Sequence, residues 1–373
     1  MVEKLMPKAT ISVENSLRYM NAVLMKKKFK KILRAGVAKC VVPFFRKSAM
    51  AELHARWQSF GLECANICNA NCSFCGYGKG LDERPKAFVD MDTLRKVLDL
   101  FEKSGGGDFV FASILGDPLA DKGFLEKVKF ASRYPSVKGI SIYTNLIGLD
   151  QFDMGDFLAS GITNMAVSTS LGGREVYKRL FGVDRYEDVM ENLVKLLKGN
   201  LDRGKPIDIK LLVRTDYDIA SCLESLNEYK SIKRFLKAGK IRVLARDEWD
   251  SYNGAVKLKD LPKGARFKKD MPDKSVPCYA LYRKLQILVN GDISVCSCRI
   301  HPSLVVDNIR NYSSLGDYWR GEAIARFRQR WKDGEIPVAC RSCTHYLPYT
   351  HTVEGIMARH AFDWIRGVFK RRG

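Results

Sequence analysis

Between Gly61 and Asp250, short apolar runs alternate with amphipathic stretches, and few folds accommodate that order. Phe109–Leu115 precedes a helical stretch near Phe124–Ser132, Gly139–Tyr143 precedes one near Gln151–Ser160, and Met165–Thr169 precedes one near Tyr186–Lys198. Ile207–Val213 leads into a helix near Ile219–Ala238, and Lys240–Ala245 reads as a further strand. Strand and helix trading places over short connections predict a parallel sheet with crossover helices. About six such units with right-handed crossovers curl into a barrel or part of one, an α/β fold of the partial (β/α)6 type. The chemistry of such a fold sits on the loops at the C-terminal ends of its strands.

The 373 residues leave room for one large domain and a smaller appendage, and 46% hydrophobic with 28% charged residues is a globular balance. No apolar run approaches the roughly 18 residues a membrane-spanning helix needs. Met1–Asn15 has no apolar core beside a cleavage site, so no signal peptide is expected and a cytoplasmic location is. The chain is nevertheless basic, with 63 Lys+Arg against 42 Asp+Glu for a net charge of +21. An acidic partner is implied. Asn15–Ala51 contains no acidic residue, and its apolar positions recur at helical spacing. A second basic stretch carries the stripe Met357, Ala361, Trp364, Ile365, Val368 and Phe369. Two readings stay open: terminal helices with solvated charges, or peripheral contact with an anionic inner-membrane surface or a lipid-linked substrate. Nucleic acid fits less well, since no stacked-aromatic RNA motif or zinc-finger spacing accompanies the charge.

The expected order is a basic helical extension (1–56), the barrel (57–250), a Lys-, Gly- and Pro-rich linker (251–277), a cysteine module (278–346) and a basic amphipathic helix (347–373). In the module, Leu285–Val289, Asn290-Gly291 and Ile293–Cys296 give a hairpin signal. Helical texture follows around Ser314–Lys332.

Eleven cysteines in a chain with no export signal point to metal or redox chemistry. Cys68, Cys72 and Cys75 lie three and two residues apart in a polar loop after the first strand-like run. One loop can turn three thiolates at this spacing toward one iron–sulfur cubane, leaving an iron open to a chelating ligand. The competing reading is a zinc site shared between Cys72–Cys75 and Cys340–Cys343, because structural zinc takes four ligands.

On the triplet, the sequence resembles the radical S-adenosylmethionine (SAM) superfamily, whose fingerprint is CxxxCxxC in this loop; the resemblance runs from about Gln58 to Tyr346. It implies a 4Fe–4S cluster on Cys68, Cys72 and Cys75, with Phe74 beside adenine. Leu115-Gly116-Asp117-Pro118 looks like the family's GGE segment, which receives the methionine amino group, though with Leu for the first Gly and Asp for Glu. Thr144, Asn145, Ser168 and Ser170 match polar positions used for ribose or substrate, and Arg214 a position that meets the SAM carboxylate. Cys278, Cys296, Cys340 and Cys343 resemble the SPASM module or its shortened twitch form, implying one auxiliary 4Fe–4S cluster with four cysteine ligands. The spacing is nearest to members such as 2-deoxy-scyllo-inosamine dehydrogenase, which oxidises an alcohol on an aminocyclitol.

Cys298 is a spare thiol, a replacement ligand for Cys296, or a hydrogen-atom donor to a substrate radical. Arg246, Asp247 and Glu248 end the last barrel strand, as substrate contacts (including a base for an alcohol proton) or as an ion-pair loop. His301 reads as a turn residue or a substrate contact, Cys64 as packing beside the loop, and Cys40 and Cys222 as buried structural thiols. The resemblance implies a radical oxidoreductase or epimerase fed by flavodoxin or ferredoxin. Peptide-modifying relatives often begin with a strand-containing leader-binding module, and the helical first 55 residues do not read as one. The expected substrate is therefore a sugar, cyclitol or glycolipid, and the alternative is epimerisation or cross-linking of a ribosomal peptide.

Overall fold

The computed structural model describes residues 38–112, 114–216, 227–239 and 241–370. Cys222, the side chain of Cys40, the basic stretch up to residue 37 and the apolar stripe beyond His360 lie outside what it describes. The described chain divides into two units, one spanning 54–350 and one combining residues up to 53 with those from 351. In the latter, helices α1 (Ala38–Ala55) and α12 (Thr350–Lys370) supply Glu52, whose carboxylate accepts from Arg359 and lies 2.8 Å from His360 Nε2. No helix among the described residues is long and apolar enough to cross a membrane.

The larger unit is built on one nine-stranded sheet. Six parallel strands follow one another in chain order: β1 (Ser59–Leu62), β2 (Gly107–Phe111), β3 (Val137–Thr144), β4 (Ile162–Thr169), β5 (Asp208–Val213) and β6 (Arg242–Ala245). Between them run α2 (Met91–Lys103), α3 (Phe124–Ala131), α4 (Met154–Leu158), α5 (Arg174–Phe181), α6 (Tyr186–Asp202) and α7 (Asn227–Gly239). This is the partial barrel that the alternation predicts. Some of these helices start at a side-chain cap. Asp90, for example, caps α2 by accepting from Thr93 N at 2.6 Å, and the helix buries Leu94, Val97, Leu98 and Phe101. Phe101 then meets Phe60 of β1 and Phe109 of β2 at ring distances of 4.7 and 5.4 Å, an aromatic core that fixes the base of the first loop.

The cysteine module is part of the same sheet. After the short parallel pair β7 (Glu248–Trp249) and β8 (Arg266–Phe267), helix α8 (Ala280–Arg283) leads into β9 (Lys284–Ile287). Strand β9 pairs parallel with the outer edge of β1, Ser59 to Leu62 opposite Lys284 to Ile287. Strands β10 (Asp292–Ser294) and β11 (Val305–Asn308) add antiparallel beyond it. The hairpin at Asn290-Gly291 appears as expected, followed by helices α9 (Leu315–Arg320), α10 (Glu322–Lys332) and α11 (Val338–Arg341). The segment expected to be a linker is folded instead, holding β8 and a 3-10 turn at Leu258–Asp260. Its weak periodicity reflects short elements fixed by contacts with the rest of the unit.

Candidate functional site

Strand β1 delivers the chain to the loop at 63–90, which three clasps hold in place. The first begins with Glu63, buried at the end of the strand. Its carboxylate takes the Arg84 fork at 2.8 and 2.9 Å and the Val289 amide at 3.3 Å, while Arg84 also grips Asp82. Asn66 adds a bond to Pro85 O (2.9 Å) and accepts from Ala87 N (2.7 Å). The second clasp is the C-terminus of α5, where Phe181 O and Leu180 O accept from Asn71 N and Ser73 N, both at 2.9 Å. The third is Gly116, whose neighbour Asp117 donates its amide to Ile67 O at 2.9 Å. A Cβ on Gly116 would lie 2.3 Å from Ala65 O and 2.8 Å from Ile67 O, so only glycine permits this approach.

Cys68, Cys72 and Cys75 project from this pinned loop close enough to feel one another's charge. Burial, and next the Asp117 carboxylate, push the Cys68 thiol up to about 12. Burial, then Cys75 and Cys68, raise Cys72 well above the ordinary thiol range, and burial raises Cys75. Three thiols that resist ionising alone suit a polycation that takes them as thiolates and releases their protons. Three cysteines on one loop suit a cubane, which leaves its fourth iron open, better than a structural zinc, which takes four ligands. The donor set fits the cluster.

Around the triplet stand the strand-end polar residues. Asp117 is buried and accepts from Leu119 N (2.9 Å), Thr144 Oγ1 (3.0 Å) and Asn145 N (2.6 Å); burial pushes its carboxyl up to about 6 against those bonds. It ties the end of β3 to the cluster loop. Asn145 Nδ2 reaches Asn69 Oδ1 at 2.8 Å and lies 3.7 Å from Cys68 Sγ. The next residue, Leu146, is buried at φ 67, a left-handed conformation that costs a branched side chain about 1–3 kcal/mol. Ser170 Oγ is used locally by Gly172 N at 3.1 Å, and Ser168 is half-buried on β4.

At the ends of β4 and β5, buried polar atoms lack partners among the described residues: Thr169 Oγ1, Arg214 Nε and Thr215 Oγ1, with Tyr177 Oη on α5 and Trp249 Nε1 on β7. Burial, and next the charge of Arg246, lower the Arg214 guanidinium to about 10, while Cys72 and Cys75 pull it the other way. Phe74 packs between Trp249 and Phe181 at ring distances of 4.6 and 5.7 Å. An orphaned buried donor or acceptor costs about 1–3 kcal/mol, and a ligand with several hydrogen-bonding groups would satisfy these.

The second cysteine set lines one cavity. Cys278, Cys296, Cys340 and Cys343 share it with Cys298, His345 and apolar walls that include Trp331. Burial pushes Cys278 up to about 11 and Cys340 up to about 12. Cys298 is drawn down by its hydrogen bond with Cys296 and by the charges of Lys284 and His345, and Lys284 Nζ stands 4.0 Å from its sulfur. Arg246 and Asp247 are exposed, and the Glu248 carboxylate is taken by Arg266 at 2.9 Å. The three are not brought together with the cysteines, and of them only Arg246 leans inward, 5.1 Å over the Trp249 ring. His301 is exposed and caps its own turn through Ser303. Cys64 is buried beside the loop.

Residues 62–218 match the profile of the radical SAM superfamily, and residues 278–344 that of the iron–sulfur cluster-binding domain SPASM. The chain carries a radical SAM domain followed by a SPASM domain. These domains imply a SAM-binding 4Fe–4S cluster, an auxiliary cluster and SAM itself. Curated relatives include the GTP 3',8-cyclase of Pasteurella multocida, 24% identical over 49% of this chain and 53% of that protein. That of Vibrio cholerae is 23% identical over 39% and 43%. The chain thus spans about half the length of the curated relatives it matches. Similar solved structures include BtrN in complex with AdoMet and 2-DOIA (15% identity, 77% of this chain, 93% of that chain, TM-score 0.48). Others are anSMEcpe with bound AdoMet (16%, 85%, 100%, 0.49) and Streptococcus suis SuiB bound to precursor peptide SuiA (14%, 79%, 72%, 0.47).

Several residues of the radical SAM domain are visible only in the fold. Thr169 and Tyr177 lie on β4 and α5, and Glu63 and Thr215 lie just past β1 and β5, contexts that give no sequence signal. Tyr252-Asn253-Gly254 does carry one, since Asn-Gly marks a turn.

Proposed function

We propose that this radical SAM enzyme abstracts a hydrogen atom from a hydroxylated sugar- or cyclitol-type substrate, giving oxidation or epimerisation at that carbon. The observation that carries this reading is the group of buried, unpartnered polar atoms behind the triplet: Thr169 Oγ1, Tyr177 Oη, Arg214 Nε, Thr215 Oγ1 and Trp249 Nε1. SAM and a polyhydroxylated substrate together offer enough donors and acceptors to satisfy them.

Cys68, Cys72 and Cys75 hold the first cluster, and Cys278, Cys296, Cys340 and Cys343 the auxiliary one. When bound, the reduced cluster and SAM supply a 5′-deoxyadenosyl radical able to attack an unactivated C–H bond. The chain supplies the rest. Arg214 would receive the SAM carboxylate, Phe74 would lie beside adenine, and the strand ends carrying Gly116, Asp117, Thr144, Asn145, Ser168 and Ser170 would hold the cofactor. The aromatic wall of Phe74, Phe181 and Trp249 keeps water from the reacting carbon. The two outcomes differ at Cys298. In epimerisation its thiol gives a hydrogen atom to the substrate carbon, and the thiyl radical left behind is reset by one electron from the external reductant and one proton from solvent. In oxidation Cys298 takes no part, and the substrate radical loses a proton to solvent and an electron that the auxiliary cluster would accept.

The test is anaerobic reconstitution, then SAM and dithionite with C-deuterated aminocyclitols and hexosamines in one arm and short peptides in the other. Brown protein with about eight irons, 5′-deoxyadenosine, and deuterium transferred to it only from the hydroxylated probes support the proposal. Deuterium transfer from peptides alone overturns the substrate class. A colourless zinc protein overturns the whole reading.

A further inference from the structure

Just after β7 the backbone does something unusual. Tyr252, Asn253 and Gly254 follow one another with φ of 48, 58 and 83, a left-handed run that L side chains rarely adopt. The contacts that hold it come from a narrow source. The buried Asp250 carboxylate takes Arg299 Nε at 2.9 Å and Thr344 Oγ1 at 2.9 Å, and accepts Tyr252 N at 3.1 Å. Asn253 Oδ1 accepts from Arg299 and from Ser342 Oγ, and Arg299 also donates to Ala339 O at 2.8 Å. Arg299, Ala339, Ser342 and Thr344 are chain neighbours of Cys298, Cys340 and Cys343. Every side chain or carbonyl from the SPASM domain in this clamp therefore sits one residue from a thiol lining the second cavity.

On the turn's other side is the first cluster's loop. Gly76 follows the ligand Cys75, and a Cβ built there would lie 3.2 Å from Tyr252 Cε1. Arg299, the neighbour of Cys298, lies 5.9 Å over the same ring, so Tyr252 touches the cluster loop and the residue that carries the clamp.

We propose that Tyr252 is a positioning residue through which the loading of the auxiliary cysteines orders the SAM-cluster loop. Metal capture fixes the backbone at Cys296, Cys340 and Cys343, holds Cys298 through its amide on Cys296 Sγ at 3.3 Å, and with them fixes the clamp on Asp250 and Asn253. The clamp holds the strained turn, and the Tyr252 ring braces Gly76 and Cys75 from outside. An empty auxiliary site relaxes the clamp and loosens the loop where SAM must bind.

The test uses the full chain, reconstituted anaerobically, with iron content, SAM affinity and hydrogen exchange of residues 72–81 as readouts. Replacing Cys340 and Cys343 by Ala should weaken SAM binding about tenfold, inside the usual range for coupled sites, and speed exchange in 72–81. Tyr252→Ala should show the same weak binding and fast exchange while retaining both clusters, and removing the two cysteines in that background should add nothing. Tyr252→Phe, which keeps the ring, should restore wild-type values. If Tyr252→Ala fails to load iron, Asn253→Ala serves as the uncoupled background, having lost only the acceptor for Arg299 and Ser342. The proposal is overturned by wild-type SAM affinity and exchange in a fully loaded uncoupled variant. An equal loss on cysteine removal in both backgrounds, or no loss in either, also overturns it.

Discussion

Gly116→Ala isolates the contact that sets the height of the cluster loop. The added Cβ would stand 2.3 Å from Ala65 O, and Cβ contacts under 3.0 Å are essentially never found, so the loop must retreat by about 0.7 Å. The obstacle is backbone on backbone, which no rotamer change relieves, and the Asp117 N to Ile67 O bond is stretched as it moves. Overpacking of this kind costs about 1–3 kcal/mol, and a misplacement approaching 1 Å at a reacting centre costs on the order of 100-fold in rate. Gly80→Ala supplies the comparison. Gly80 lies in the same loop at φ 66 with nothing within 4 Å of a built Cβ, so it bears conformational strain of about 1 kcal/mol without displacing anything. Urea unfolding of the apo chains and 5′-deoxyadenosine formation by the reconstituted chains measure the two quantities. Gly116→Ala should lose stability and about two orders of magnitude of SAM cleavage, whereas Gly80→Ala should lose stability alone. Wild-type cleavage by Gly116→Ala, or an equal kinetic loss in Gly80→Ala, would refute the claim that this contact positions the loop.

Further outcomes are expected. With Asp117 at about 6 when folded against 3.8 in its ordinary state, the folded chain keeps a proton that the unfolded chain releases between those values. Apo stability should therefore fall by roughly 3 kcal/mol as pH rises from about 4 to 6, and Asp117→Asn should flatten that limb of the urea-derived profile. Asp250→Asn leaves Arg299 buried without its carboxylate and should cost about 3–5 kcal/mol; a shift in denaturation midpoint equivalent to less than 1 kcal/mol would show the pair to be dispensable. Cys298→Ala should keep the iron content and, where epimerisation is the reaction, abolish solvent deuterium incorporation into product. Unchanged incorporation would remove Cys298 from the donor role.

Local chemistry was legible in advance; long-range pairing was not. The cysteine triplet stood out because three thiols within eight residues need no tertiary knowledge to be placed on one loop. Strands β3, β4 and β5 could be read because each is a continuous apolar or alternating run buried on the core side. The attachment of β9 to β1 could not, since nothing in Lys284–Ile287 names Ser59–Leu62 as its partner across more than 200 residues. Nor could the segment after Ser251 be recognised as structure, because its elements of two or three residues show no period. The Arg246-Asp247-Glu248 run drew attention by its charge, yet the buried, chemically committed residues of that corner are its neighbours Trp249 and Asp250. A charge run advertises itself in sequence, whereas an acid buried with a distant arginine does not.

The docking of β9 on β1 bears on how this chain can be dissected. A truncation ending before residue 278 would strip the outer partner from Ser59–Leu62 and turn the first strand of the barrel into a raw, apolar strand border. Such borders recruit other chains, so the excised fragment should precipitate or self-associate, and the two halves are better studied by point substitution than by cutting.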